Sequence, residues 1–109
     1  EYFEPIGNLD ECPFMTLSYK VRPERKDSIM GVVHVDNTTR IQTVTEKDGV
    51  IWKILKQFKE KTGCPLLLNT SFNLAGDPLV ENLFDALKTL SNSDIKYLYL
   101  PEIGKLVSK

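Results

Sequence analysis

The sequence lacks the features that mark disulfide-rich, membrane-spanning and nucleic-acid-binding proteins. It contains two cysteines in 109 residues, Cys12 and Cys64, which are too few for a disulfide framework or a four-cysteine zinc site. Its longest uncharged runs fall short of the ~18–20 apolar residues that a membrane span needs. Fourteen Lys and Arg against fifteen Asp and Glu give a net charge of −1, which argues against a dedicated nucleic-acid binder. We therefore expect a reduced, cytoplasmic protein without a membrane or nucleic-acid partner.

The remaining composition is that of an ordinary globular domain. Hydrophobic residues make up 41% of the chain and charged residues 27%, as in soluble folded proteins. A chain of 109 residues allows one domain with one modest core, so we expect a single domain over residues 1–109. The first residue is Glu1 rather than Met, as expected of a trimmed chain or of a piece of something longer.

Two helices are indicated by apolar residues at helical spacing. The first is predicted over 48–62, with Asp48 as its N-cap and Gly63 just after its end. Its lysine-rich side is interpreted as a solvated surface. The second is predicted to begin near Asn82, with Asp85 three residues on in an arrangement like a capping box. A short helical turn is expected at 24–29.

Strands are indicated by alternating or continuous apolar residues. The predicted strands cover 14–22, 31–36, 39–45, 65–69 and 95–100, with a tight turn at Asn37-Thr38 and a loose tail from 102. The order β-β-β-α-β-α-β predicts an α/β fold with a mixed, twisted sheet and helices on it.

The segment from His34 to Val44 could present a polar face to an anionic ligand. In a hairpin, residues two apart share a face, so His34 would project with Asp36, and Arg40 with Gln42. The planar donors of Arg match phosphate oxygens in pairs. The alternative is an edge hairpin whose polar face meets only water. His34 and Asp36 supply only two metal ligands, so no metal site is predicted.

Small polar side chains follow the predicted strand at 65–69. Asn69, Thr70, Ser71 and Asn73 would lie at its carboxyl end, where ligands bind in α/β sheets. The alternative is a turn whose side chains bond its own backbone. Asp77, in the following loop, could hold a metal or a ribose hydroxyl or be an acidic turn residue.

These segments together resemble the C-terminal, YrdC-like domain of the NodU/CmcH carbamoyltransferase family. Residues 34–44 parallel the family's His-Val-Asp-Gly-Ser/Thr-x-Arg-x-Gln-Thr-Val stretch, and residues 67–73 reproduce its Leu-Leu-Asn-Thr-Ser-Phe-Asn. Residues 76–80 read as a variant of its Gly-Glu-Pro-Ile-Val. Asn37 stands where the family usually has Gly, and Ala75 where many members have Arg. The resemblance covers about residues 1–100.

The resemblance implies an O-carbamoyltransferase that forms carbamoyl-adenylate from carbamoyl phosphate and ATP, the latter with Mg. A larger N-terminal domain, with a bound metal such as iron, then transfers the carbamoyl group to a hydroxyl acceptor. By resemblance, Arg40 binds phosphate, and His34 and Asp36 shape the pocket wall or assist proton movement. The side chains expected to line the rest of the pocket are Gln42, Asn69, Thr70, Ser71 and Asn73.

The resemblance also implies that residues 1–109 are part of a two-domain enzyme and inactive alone. Its partners would be small-molecule substrates and the N-terminal acceptor domain. A non-catalytic module that binds nucleotide or docks onto a partner chain is the alternative. RNA binding is the weakest hypothesis, because the balanced charge offers no stripe that would follow phosphates. The acceptor and the oligomeric state stay open.

Overall fold

The computed structural model describes residues 1–109. These divide into two units, Glu1–Leu68 and Asn69–Lys109, and each unit is described by itself. The chain is mixed α/β, as predicted, with two α-helices, two 3-10 segments and four short strands. No helix combines the length and the apolar character that a membrane span requires. The single domain expected over residues 1–109 stays a prediction.

The first unit contains a small antiparallel sheet. Strand β1 (Ser18–Lys20) pairs with β2 (Thr38–Arg40), with Ser18 opposite Arg40 and Lys20 opposite Thr38. The N-terminal segment extends this sheet, because Phe3 bridges Val21 in antiparallel fashion. Tyr19 and Val21 point into the unit and are 5% and 4% exposed. They form its core with Tyr2, Cys12 and Thr39.

The strand predicted over 14–22 is shorter in the structure. Met15 has a φ of 55°, in the left-handed region that an extended chain does not visit, so regular pairing begins only at Ser18. The strand predicted over 31–36 is wrong. A 3-10 segment runs from Pro23 to Val32 and exceeds the short turn expected there, and a turn follows it. The third predicted strand is reduced to β2.

Helix α1 (Val50–Thr62) confirms the first predicted helix. Gly63 ends it with a φ of 77°, and its N–H donates to the Lys59 carbonyl at 2.8 Å. The N-cap prediction is wrong, since Gly49 is the N-cap residue. Asp48 instead closes a short 3-10 turn (Glu46–Asp48) by accepting from the Thr45 N–H at 2.6 Å.

The apolar side chains of α1 are substantially exposed to solvent. No side chain of the helix is fully buried, and Ile51, Ile54 and Phe58 are more than a third exposed. The ammonium of Lys56 lies 5.1 Å from the centre of the Trp52 ring, a cation–π contact.

Residues 65–69 form no strand, contrary to the prediction. A strand needs a neighbour that pairs its N–H and C=O groups, and no strand of the structure pairs with this run. Leu68 is 70% exposed, so the run is not the covered strand that its composition indicated.

The second unit consists of α2 (Leu83–Ser91) and a hairpin of β3 (Tyr97–Leu100) and β4 (Lys105–Ser108). The Asn82 side chain caps α2 by accepting from the Asp85 N–H at 3.0 Å, which confirms the predicted start. Ala86, Thr89 and Leu90 are buried. The tail prediction is wrong, because β4 pairs with β3 along its full length.

The strands therefore form two separate antiparallel pairs, β1-β2 and β3-β4, rather than one mixed sheet. Along the chain the order is β-β-α-α-β-β, which differs from the predicted order. The two missing strands, at 31–36 and 65–69, account for most of this difference.

Candidate functional site

The exposed face of the antiparallel pair β1-β2 carries the predicted phosphate-binding residue. Exposure alternates along β1, where Ser18 and Lys20 are exposed and Tyr19 is buried. On β2, Thr39 is buried and Arg40 is exposed. Directly opposite residues share a face of a sheet. Ser18, Lys20, Thr38 and Arg40 therefore lie together on the outer side, which we call the hairpin face.

Thr39 determines which way Arg40 points. The Thr39 hydroxyl donates to the Val32 carbonyl oxygen at 2.7 Å, and the residue is 4% exposed. Because successive side chains of a strand point to opposite faces, holding Thr39 inward directs Arg40 outward. No motif or spacing in the sequence indicates this role of Thr39.

A tight turn precedes Arg40 and contains two of the predicted site residues. The His34 N–H donates to the Thr38 carbonyl at 2.8 Å, and the Asn37 N–H donates to the His34 carbonyl at 2.9 Å. Asn37 has a φ of 63°, as expected for the predicted turn. His34 and Asp36 thus belong to a turn, and the strand face on which they were expected to project together is absent.

Asp36 is engaged by its own turn. Its Oδ1 accepts from the Thr38 hydroxyl at 2.7 Å and from the Thr38 N–H at 3.0 Å. These two bonds lower the pKa of Asp36, the hydroxyl bond contributing most, because they stabilise the ionised carboxylate. The exposed ammonium of Lys26 donates to the Asn37 side-chain oxygen at 2.5 Å. Asp36 therefore supports the backbone next to Arg40.

Gln42 lies beyond the end of β2 and is exposed. The neighbouring Thr43 is held by Cys12, since the Thr43 N–H donates to the Cys12 carbonyl at 3.0 Å. The Cys12 N–H in turn donates to the Thr43 hydroxyl at 2.8 Å. These bonds fix the backbone on one side of Gln42, and Arg40 in its paired strand fixes it on the other. Both cysteines are free.

The second predicted group of site residues lies in the second unit. Asn69, Thr70 and Ser71 are exposed, whereas Asn73 is half-buried. The Asn73 amide donates to the Asp77 carbonyl at 3.0 Å and to the Leu74 carbonyl at 3.3 Å. Its own Oδ1 is buried without a partner. Asn73 therefore closes the loop that precedes α2, as the turn interpretation expects of it.

A cavity of about 180 Å³ lies in the second unit, against α2. Of the candidate residues named from the sequence, only Asp77 lines it; the lining residues are Asp77, Pro78, Leu79, Val80, Glu81, Asp85, Lys88 and Thr89. Three carboxylates against one ammonium disfavour a phosphate ligand there. The charge of this cavity therefore does not favour the predicted anionic substrates.

The structure thus places His34, Asp36, Arg40 and Gln42 within the first unit, and the polar segment 69–73 within the second. Their convergence on one pocket stays a prediction. No three His, Cys, Asp or Glu side chains are placed to hold a metal ion.

Comparison with known proteins decides the family. A family model described as "Carbamoyltransferase C-terminus" matches residues 1–108. The chain belongs to the carbamoyltransferase C-terminus family. This confirms the resemblance to the carbamoyltransferase family drawn from residues 34–44 and 67–73, whereas the YrdC-like character of the domain stays a prediction.

Curated relatives of this family member are much longer proteins. It is 38% identical over 96 residues to the nodulation protein NolNO of Sinorhizobium fredii, covering 87% of this chain and 14% of that protein. It is 39% identical over 97 residues to nodulation protein NolO of Bradyrhizobium diazoefficiens, covering 87% and 18%. Nodulation protein U of Rhizobium tropici is 42% identical over 65 residues, covering 59% and 11%. The chain therefore spans less than a fifth of the length of these relatives.

Proposed function

We propose that this chain is the C-terminal part of an O-carbamoyltransferase and contributes to forming carbamoyl-adenylate from carbamoyl phosphate and ATP. The observation that carries the proposal is the position of Arg40. It is exposed at the end of β2, fixed by the buried Thr39, within a chain that matches the carbamoyltransferase family over residues 1–108. A solvent-facing guanidinium on a paired strand can bind two phosphate oxygens at once.

The groups around Arg40 suit an anionic substrate. The nearest carboxylate in sequence, Asp36, already accepts two bonds from Thr38, so it does not depend on the guanidinium for a partner. His34 follows the 3-10 segment and is exposed in the turn, where its side chain is open to a reacting group and can act as a general acid or base. Arg40 therefore binds and orients the phosphate, and His34 assists proton movement.

The polar segment of the second unit supplies neutral donors and acceptors. Asn69, Thr70 and Ser71 are exposed, and their amide and hydroxyl groups match the amide of a carbamoyl group and the hydroxyls of a nucleotide. Asn73 holds the loop behind them through the Asp77 carbonyl. Gln42 completes the proposed set of substrate-binding residues.

The proposed formation of carbamoyl-adenylate consumes one water molecule. Carbamoyl phosphate and water give carbamate and phosphate; a carbamate oxygen then forms a bond to the α-phosphorus of ATP, and pyrophosphate leaves. Mg²⁺ would arrive with ATP and reduce the charge of its phosphates. We propose that an N-terminal domain of the same polypeptide, with bound iron, transfers the carbamoyl group to a hydroxyl acceptor. The proposed compartment is the cytoplasm.

Exchange of labelled pyrophosphate into ATP, dependent on carbamoyl phosphate, tests the proposal in the full-length protein. We expect Arg40→Gln to reduce the exchange rate at least about 100-fold, since charged hydrogen bonds to the reacting phosphate are lost. Lys53→Gln is the matched control, because it removes one exposed positive charge from α1. Unchanged exchange in the Arg40 variant would refute the role. Calorimetry with ATP and carbamoyl phosphate then separates a nucleotide-binding module from a docking module, which binds neither.

A further inference from the structure

The hairpin face presents a second cation next to Arg40. Lys20 lies opposite Thr38 and Ser18 lies opposite Arg40, so Lys20 and Arg40 occupy diagonal positions on neighbouring strands. Diagonal neighbours on one face are about 7–8 Å apart at their Cα atoms, within reach of long side chains. Both residues are exposed, so an ammonium and a guanidinium can approach one anion from two sides.

We propose that Lys20 is a second phosphate-binding residue, which together with Arg40 holds the doubly charged phosphate of carbamoyl phosphate on the hairpin face. The inference rests on the proposed function and concerns a residue that no sequence motif marks. The signal in the sequence was the alternation over 14–22, which placed Lys20 on the side away from Tyr19 and Val21. Only the register of β1 against β2 brings it beside Arg40.

The other cations near the hairpin are committed to structural contacts. The Arg22 Nε donates to the Phe3 carbonyl at 3.0 Å, and the Arg25 guanidinium lies 5.0 Å from the centre of the Tyr2 ring. Lys26 donates to the Asn37 side chain. No such contact engages the side-chain nitrogens of Lys20 or Arg40. These two are therefore the cations of the hairpin that can bind a ligand without breaking a bond of the fold.

The carboxylate of Glu4, on the outer side of Lys20, gives a further test of phosphate binding. Glu4 stands opposite Lys20 on the N-terminal segment, because the Glu4 N–H donates to the Lys20 carbonyl at 2.9 Å and Phe3 bridges Val21. Glu4 is exposed and lies on the side of Lys20 away from β2. Its negative charge lowers the positive potential on this side of the strand pair, so removing that charge should strengthen phosphate binding near Lys20.

The experiment measures carbamoyl-phosphate-dependent pyrophosphate exchange in the full-length protein at varied carbamoyl phosphate. We expect Lys20→Gln to raise KM for carbamoyl phosphate about tenfold with little change in kcat, as for loss of one charge-assisted hydrogen bond in ground and transition states alike. Lys20→Arg should restore KM to within about threefold of the parent, since it keeps the charge. Glu4→Gln should lower KM, and KM for ATP should stay unchanged in all three variants.

Lys53→Gln again serves as the charge-matched control, and unchanged circular dichroism establishes that each variant is folded. A KM for carbamoyl phosphate in Lys20→Gln that equals the Lys53→Gln value overturns the inference. If Arg40→Gln loses exchange while Lys20→Gln does not differ from the control, the inference fails and the proposed function stands. If Arg40→Gln keeps full exchange, the proposed function itself fails.

Discussion

The Thr39 hydroxyl lies 2.7 Å from the carbonyl oxygen of Val32, seven residues earlier in the chain. This bond joins the end of the 3-10 segment to the middle of β2 and holds Thr39 inside the first unit. Because Arg40 follows Thr39 in the strand, the same bond decides the side of the sheet from which Arg40 projects. The proposed phosphate site thus depends on a buried neutral side chain as well as on its cations.

Thr39→Val tests this dependence. The change keeps the shape of the side chain but removes the donor to the partly buried Val32 carbonyl, so we expect the free energy of unfolding to fall by about 1 kcal/mol. Urea denaturation followed by circular dichroism measures the loss. Thr39→Ser, which keeps the hydroxyl, should cost less than Thr39→Val. Equal losses in the two variants would show that the hydrogen bond contributes nothing.

The Asp36–Thr38 contact predicts how the turn responds to acid. The pKa of Asp36 is lowered below its ordinary value of 3.8, first by the Thr38 hydroxyl and then by the Thr38 N–H. The charge-assisted bonds therefore stabilise the fold fully above pH 3.8, and this contribution is lost as the pH falls through the lower pKa of the folded state. Thr38→Val should raise the Asp36 pKa towards its ordinary value.

Titration of the Asp36 carboxyl carbon by nuclear magnetic resonance measures that change. Thr38→Ser is the control, because it retains the donor and should leave the pKa low. The same Asp36 pKa in the valine and parent proteins would contradict the assignment of the hydroxyl as the main cause.

Asn37 gives a prediction about backbone conformation. Its φ of 63° lies in the left-handed region, which costs an ordinary residue about 1–2 kcal/mol and glycine almost nothing. Both Asn37→Ala and Asn37→Gly lose the hydrogen bond from Lys26. The difference between their free energies of unfolding therefore measures the cost of the left-handed backbone conformation. We expect the alanine variant to be less stable by about 1 kcal/mol in urea denaturation. A more stable alanine variant would rule out the left-handed turn.

The cap of α2 gives a prediction in the second unit. Asn82→Ala removes the acceptor of the Asp85 N–H and should cost about 1 kcal/mol, the usual effect of losing an N-cap. Asn82→Ser supplies a hydroxyl acceptor and should retain most of the stability. Hydrogen exchange at the Asp85 amide reports the effect locally, with faster exchange in the alanine variant. Equal exchange rates in the alanine and serine variants would exclude a capping role.

The sequence predicted best what depends on local contacts. The stripe of α1, Gly63 at its end and Asn82 at the start of α2 all involve residues within about one helical turn, and their signals are preserved in any tertiary setting. The exposed position of Arg40 also followed from alternation. These features hold in the structure.

Features that depend on distant pairing were not predictable in the same way. The apolar run at 66–68 has the composition of a covered strand, but the structure offers it no strand to pair with. The segment 105–108 has no clear strand pattern in the sequence. It forms β4 because β3 provides a strand with which it pairs. Likewise, Lys20 became a site residue only once the register of β1 against β2 was known.

Trp52, the single tryptophan of the sequence, stands on α1 beneath Lys56 and therefore within the unit Glu1–Leu68. Indole emission consequently reports the melting of that unit alone. The second unit has no tryptophan, and its Tyr97 and Tyr99 emit together with Tyr2 and Tyr19 of the first unit. Far-ultraviolet circular dichroism follows the backbone of both units. Recording it beside indole emission during one melt shows whether the two units unfold together, because coincident transitions seen by separate probes mark a single cooperative event.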